Sequence, residues 1–144
     1  MTRAAQPAPP PPKVEPPSEE TVAFEAGLSA AQAEDWKRAD AAFTRAHNMR
    51  IDNALTLAWL GWARYHNDSV ELELRTEEAR DFLLLAEQFD PTQTIGQMYL
   101  ARLLIASDEP ESAALRLKRV LRLEEDNAEA RELLDSIVLE EDEG

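Results

Sequence analysis

Three residue markers recur along this chain at the same two spacings, and that regularity constrains its fold more than any other feature. Small–large–small triplets at i, i+4 and i+7 stand at Ala39/Phe43/Ala46, Ala79/Leu83/Ala86 and Ala113/Leu117/Val120, with starts 40 and then 34 residues apart. A second marker stands at Ala26-Gly27, Leu60-Gly61 and Leu100-Ala101, 34 and then 40 residues apart. Unit ends at Ile51, Pro91 and Glu125 repeat the 40 and the 34. Because the two spacings come in opposite order, six extra residues lie between Gly61 and Ala79, and the run 67–76 is the expected place. Periods of this length belong to stacked units, none of which can bury its apolar face alone.

The units are helical. After Pro17 only Pro91 and Pro110 interrupt the chain, and apolar residues recur at three- and four-residue intervals. The stretch Val70–Arg75 alternates briefly but is flanked by helical patterns. Capping residues predict first helices starting near Ser18–Thr21, Asn53 and Gln93-Thr94. Second helices are predicted to start near Asp35, Thr76 and Glu109-Pro110. After Asn127 the segment 128–139 carries an apolar stripe (Leu133, Leu134, Ile137, Val138) and an acidic outer face, as a terminal cap requires.

A 34-residue helix–turn–helix period resembles the tetratricopeptide-repeat (TPR) family. Leu60-Gly61 matches its Leu-Gly pair. Ala39, Ala79 and Ala113 match its small residue in the second helix, Phe43 its aromatic four residues on, and Pro91 its closing proline. Ile51 and Glu125 depart from that proline, and Val120 from an alanine. The resemblance covers roughly residues 20–127 and implies an all-α fold: a right-handed α-solenoid of three TPR-like helix pairs with a seventh, capping helix. The expected organisation is a proline-rich tail at 1–19, a helical domain at 20–139 and an acidic frayed end at 140–144. Within the domain the repeats fall at about 20–53, 54–93 and 94–127.

Composition narrows the function. The net charge is −14, and −9 of it lies from Glu124 to Gly144. Such a chain repels phosphate backbones and anionic membranes, so neither nucleic acid nor a membrane is an expected partner. No apolar run approaches the length of a bilayer span. The start lacks the apolar core of a signal peptide and reads as a tail or linker. The absence of cysteine removes disulfides, thiolate metal sites and cysteine catalysis, and fits a reducing, cytoplasmic setting. His47 and His66 stand in no metal spacing, and no nucleophile-elbow or phosphate-loop motif occurs. The acidic run Glu124–Glu132 lacks a calcium loop's glycine and ligand spacing. The chain is therefore expected to be no enzyme and to need no cofactor or metal.

Binding is the remaining class. On a helical wheel Leu57, Leu60, Gly61 and Arg64 fall on one side of the helix, where the packing signature places its own partner helix. Leu55, Trp59, Trp62, Tyr65 and His66 fall on the other. The same register adds Phe24, Leu28 and Gln32 from the first repeat, and Met98, Tyr99, Arg102 and Ile105 from the third. Together they predict an apolar and aromatic concave groove for a protein or peptide partner, with Arg102, Gln32 and His66 as polar points. Trp36, at the entry to a second helix, is expected in the core. TPR domains that hold chaperone C-termini clamp a terminal carboxylate with Lys, Asn and Arg. At the places read as matching, this chain has Phe24, Leu28, Trp59, Ile95 and Tyr99, which argues against such a clamp. The run Pro7–Lys13 reads as a semi-rigid spacer rather than a ligand for a proline-reading domain. Two other readings remain: a small acidic secretion-type chaperone, and a structural module that self-associates or spaces domains in a larger protein. A monomer or weak homodimer is expected.

Overall fold

The computed structural model describes residues 4–137. Seven helices and no strands occur among the described residues: α1 (Glu19–Gln32), α2 (Trp36–Met49), α3 (Ala54–His66), α4 (Leu72–Phe89), α5 (Thr94–Ala106), α6 (Pro110–Leu123) and α7 (Ala128–Ser136). Residues 4–17 carry no helix or strand and are exposed. The helices form the pairs α1/α2, α3/α4 and α5/α6, stacked in chain order, with α7 against α6.

Local chemistry sets the boundaries. The side chains of Ser18, Asp35, Asn53, Gln93 and Asn127 each accept a backbone N–H in the first turn of the helix they precede, at 2.9–3.2 Å. Pro110 opens α6, where its missing N–H costs nothing. The cap helix ends at Ser136, short of the expected 139. The Ser136 hydroxyl donates back to the Leu133 carbonyl at 2.7 Å, and Ile137 leaves in an extended conformation. The remainder of that expected cap, including Val138, and the acidic end 140–144 lie outside the described residues.

The small-residue markers are where helices touch. A Cβ on Gly27 would sit 2.5 Å from the Phe43 ring. A Cβ on Gly61 would sit 2.8 Å from Leu83 Cγ and 3.1 Å from the Ala79 carbonyl. Only glycine lets α1 and α3 come this close to their partners; α5 has the buried Ala101 at the matching place. Ala39, Phe43, Ala79, Leu83, Ala113 and Leu117 are all buried, and they form the core seam.

The second repeat carries its six extra residues in two places. Its second helix, α4, has 18 residues against 14 in α2 and α6. Its inner turn runs 67–71, two residues longer than 33–35 and 107–109. Helix α4 therefore begins at Leu72 rather than near Thr76. One added turn, Leu72–Arg75, extends the helix, and the brief alternation there is the start of that turn rather than a strand. In the first and third repeats the shorter turn closes through a left-handed residue, Glu34 (φ 57°) and Asp108 (φ 59°).

Candidate functional site

Rings from α1, α3 and α5 form a continuous run with two from α2, Trp36 and the fully buried Phe43. Phe24 meets Phe43 at 5.6 Å between centroids, Phe43 stacks on Trp59 at 5.9 Å, and Trp59 meets the Tyr99 edge at 5.5 Å. Trp62 lies almost parallel to Tyr99, 6° apart at 4.5 Å, and meets His66 at 4.4 Å. His66 in turn stacks on Trp36 at 5.0 Å. These separations are those of stabilising aromatic pairs. The rings thus tie all three repeats together while each of Trp59, Trp62, Tyr65 and Tyr99 stays half-buried. Trp36, expected in the core, packs against the buried cluster of Ala39 and Phe43 and stacks on His66, but is itself half-buried.

The twelve residues predicted for the surface divide by burial. Phe24, Leu28, Leu55, Trp59, Trp62, Tyr65, His66, Tyr99, Arg102 and Ile105 are half-buried, and Gln32 is exposed. Met98 is the correction: at 7% exposed it belongs to the core cluster around Leu100 and Leu104 and offers a partner only an edge. Arg102 is not a free charge either, since it pairs with Glu129 of α7. The register explains both. Relative to Gly27, Gly61 and Ala101, Phe24 shares its row with Ala58 and Met98, and Leu28 shares its row with Trp62 and Arg102. Aligned on Gly27, Gly61 and Ala101, these two rows contain one cation, Arg102.

Electrostatically the surface is muted. Burial between the tryptophans pushes the His66 imidazole below its ordinary range, with the nearby Arg75 charge adding to the effect. The Tyr99 phenol is raised by its burial, with Arg102 opposing. The ring run is thus uncharged at neutral pH.

Two buried polar networks escaped the sequence reading. Arg64 donates to both Asp40 oxygens, at 2.5 and 3.0 Å, and pairs with Glu78, while its guanidinium lies 5.5 Å from the Phe82 ring centroid. Asn67, the first residue of the longer turn, donates to Asp40 at 2.7 Å. Glu87 accepts from Arg116 at 2.9 and 3.0 Å, from Gln97 at 2.9 Å and from Arg119 at 3.4 Å. A usable signal existed in Asp40 and Gln97, polar residues set inside otherwise apolar helix faces. Among the described residues no cluster of His, Asp or Glu could hold a metal ion. No helix of the described residues is long and apolar enough to cross a membrane.

No protein-family profile matches the sequence, and no curated protein does. Solved structures do. The TPR domain of Arabidopsis OM64 superposes with a TM-score of 0.71 at 20% identity, over 81% of this chain and 92% of that one. This chain has the tetratricopeptide-repeat fold. The first TPR domain of Spaghetti (RPAP3), bound to the HSP90 peptide SRMEEVD, superposes with a TM-score of 0.72 at 20% identity, over 81% of this chain and 90% of that one. The second TPR domain of human RPAP3, in complex with the HSP70 peptide SGPTIEEVD, gives 0.69 at 20% identity, over 81% and 92%. The TPR framework here therefore stands on packing geometry held at low sequence identity.

Proposed function

We propose that this TPR domain is a non-catalytic protein-interaction module, and that the shared face of α1, α3 and α5 takes a partner segment through apolar side chains. The observation that supports this reading is the half-buried ring surface of Trp59, Trp62, Tyr65 and Tyr99, kept uncharged and with Arg102 beside Tyr99. Half-buried aromatics held rigid by their neighbours supply contact area at low entropic cost, which is the composition of interface hot spots. A segment ending in Glu-Glu-Val-Asp, such as those seen with the RPAP3 domains, fits poorly. The two rows facing it hold Phe24, Leu28, Ala58, Trp62, Met98 and Arg102, and the one cation is already paired with Glu129. The preferred ligand is an apolar segment with at most one carboxylate, placed to compete with Glu129 for Arg102.

The test is calorimetric titration of a partner recovered by crosslinking to the wild-type chain. Trp62→Ala should weaken binding by roughly 30-fold, as loss of a hot-spot aromatic does. Arg102→Ala should weaken it by less than about tenfold, as removal of a rim charge does. Unchanged affinity in both variants sinks the reading.

A further inference from the structure

The last groove of the solenoid differs from the rest of the molecule in charge. It lies between α6 and α7 and is lined by Leu115, Lys118, Leu121 and Arg122 from α6, and Arg131 and Leu134 from α7. Leu115 is 62% exposed, although it sits one residue from the buried Ala114. All three charged residues lining the groove are cations, and none forms an ion pair with another described residue. In a chain of net charge −14 this is a local positive, apolar trough, placed where a further helix of the stack would otherwise pack.

We propose that the occupant of this groove is the chain's own C-terminal segment, residues 138–144. Its sequence, Val-Leu-Glu-Glu-Asp-Glu-Gly, is two apolar residues followed by four acids. The order matches the groove. Helices α6 and α7 are joined by the four-residue turn 124–127, so they run in opposite directions and α7 ends near the Leu115 half of α6. Ile137 leaves α7 extended, which frees the chain to turn back. On that path Val138 and Leu139 meet Leu115 and Leu134 first, and the acids then reach Lys118, Arg131 and Arg122. Seven extended residues span about 23 Å, whereas the rise along α6 from Leu115 to Arg122 is about 10 Å. Tethering gives the segment a millimolar effective concentration, so a handful of weak contacts suffices to hold it. The segment then lays a polar outer cover over the apolar groove residues Leu115, Leu121 and Leu134.

The chain has no cysteine, so Gly144→Cys gives a single attachment point for a spin label on the 144-residue chain. The label should selectively erase the NMR signals of Leu121, Arg122 and Arg131 at low salt. That loss should reverse at about 1 M NaCl, where charges are screened within a few ångströms. It should also reverse in the Lys118→Glu/Arg122→Glu/Arg131→Glu variant, whose three sites are exposed and whose fold circular dichroism can verify. Even or absent broadening overturns the proposal. So does broadening seen only between labelled and unlabelled molecules in a mixed sample, which would make a second copy the occupant. The wild-type salt titration decides the matter even if the charge-reversed variant does not fold.

Discussion

The two junctions between repeats use opposite charge arrangements for the same task. Between the first and second repeats one cation, Arg64, serves two acids, Asp40 and Glu78. Between the second and third one acid, Glu87, serves two cations, Arg116 and Arg119. Burial differs as well: the Asp40 side chain is 6% exposed and that of Glu87 is 19%. The first centre is sealed by Asn67, from the longer turn of the second repeat, while the second lies nearer to water. Asn67 therefore acts as a polar plug over a buried carboxylate.

This contrast predicts unequal costs. Arg64→Met strands a buried carboxylate beside a second acid and should destabilise the fold by about 3–5 kcal/mol, the usual penalty for breaking a buried pair from one side. Glu87→Gln strands two arginines whose long stems can carry their charge outward, and should cost about 1–2 kcal/mol. Urea unfolding of both variants measures the difference, and equal costs would break the comparison.

The fold was legible because its signals are local and repeated. Gly61, Ala79 and Leu83 announce a close helix pair whatever the rest of the chain does, and Asn53 and Asp35 announce helix starts. Asp40 and Arg64 lie 24 residues apart in different repeats, so their meeting depends on how pairs stack, which no local pattern encodes. The surface was partly legible for the same reason. The wheel separates Trp59 and Trp62 from Leu60, but it cannot show that Tyr99 of the next repeat lies flat against Trp62. Nor can it show that Met98 sinks into the core while Arg102 meets α7. Those placements come from the offset between neighbouring pairs, a property of the stack.

The Glu87 centre also responds to pH. Hydrogen bonds from Arg116, then from Gln97, with the charges of Arg116 and Arg119, hold the Glu87 carboxyl below its ordinary range against the opposing effect of burial. A carboxyl depressed in the folded state adds stability above its unfolded value, and loses it as pH falls through its folded value. The stability gap between wild type and Glu87→Gln should therefore be constant near neutrality and close on acidification below about pH 4. The Arg64 guanidinium, raised further by Asp40, does not titrate in that range. A wild-type acid limb that survives Glu87→Gln unchanged would assign it to other carboxylates.

The smallest effect concerns the turns, where the second repeat again departs from its neighbours. In the first repeat Asp35 N–H bonds the Ala30 carbonyl and in the third Glu109 N–H bonds the Leu104 carbonyl, both at 2.9 Å. Each turn closes this way because Glu34 or Asp108 takes a left-handed conformation that side chains other than glycine resist. Glu34→Gly should therefore raise stability by about 0.5–1 kcal/mol, the relief of strain exceeding the entropy glycine adds to the unfolded chain. Asp108→Gly should gain less, because a short polar side chain tolerates that region better. The longer second turn reaches α4 without any left-handed residue, so Asp68→Gly should change sign and cost about 0.5 kcal/mol. Thermal unfolding of the three variants side by side measures the ranking. A gain at Asp68 would mean that the two added residues leave that turn strained rather than relieve it.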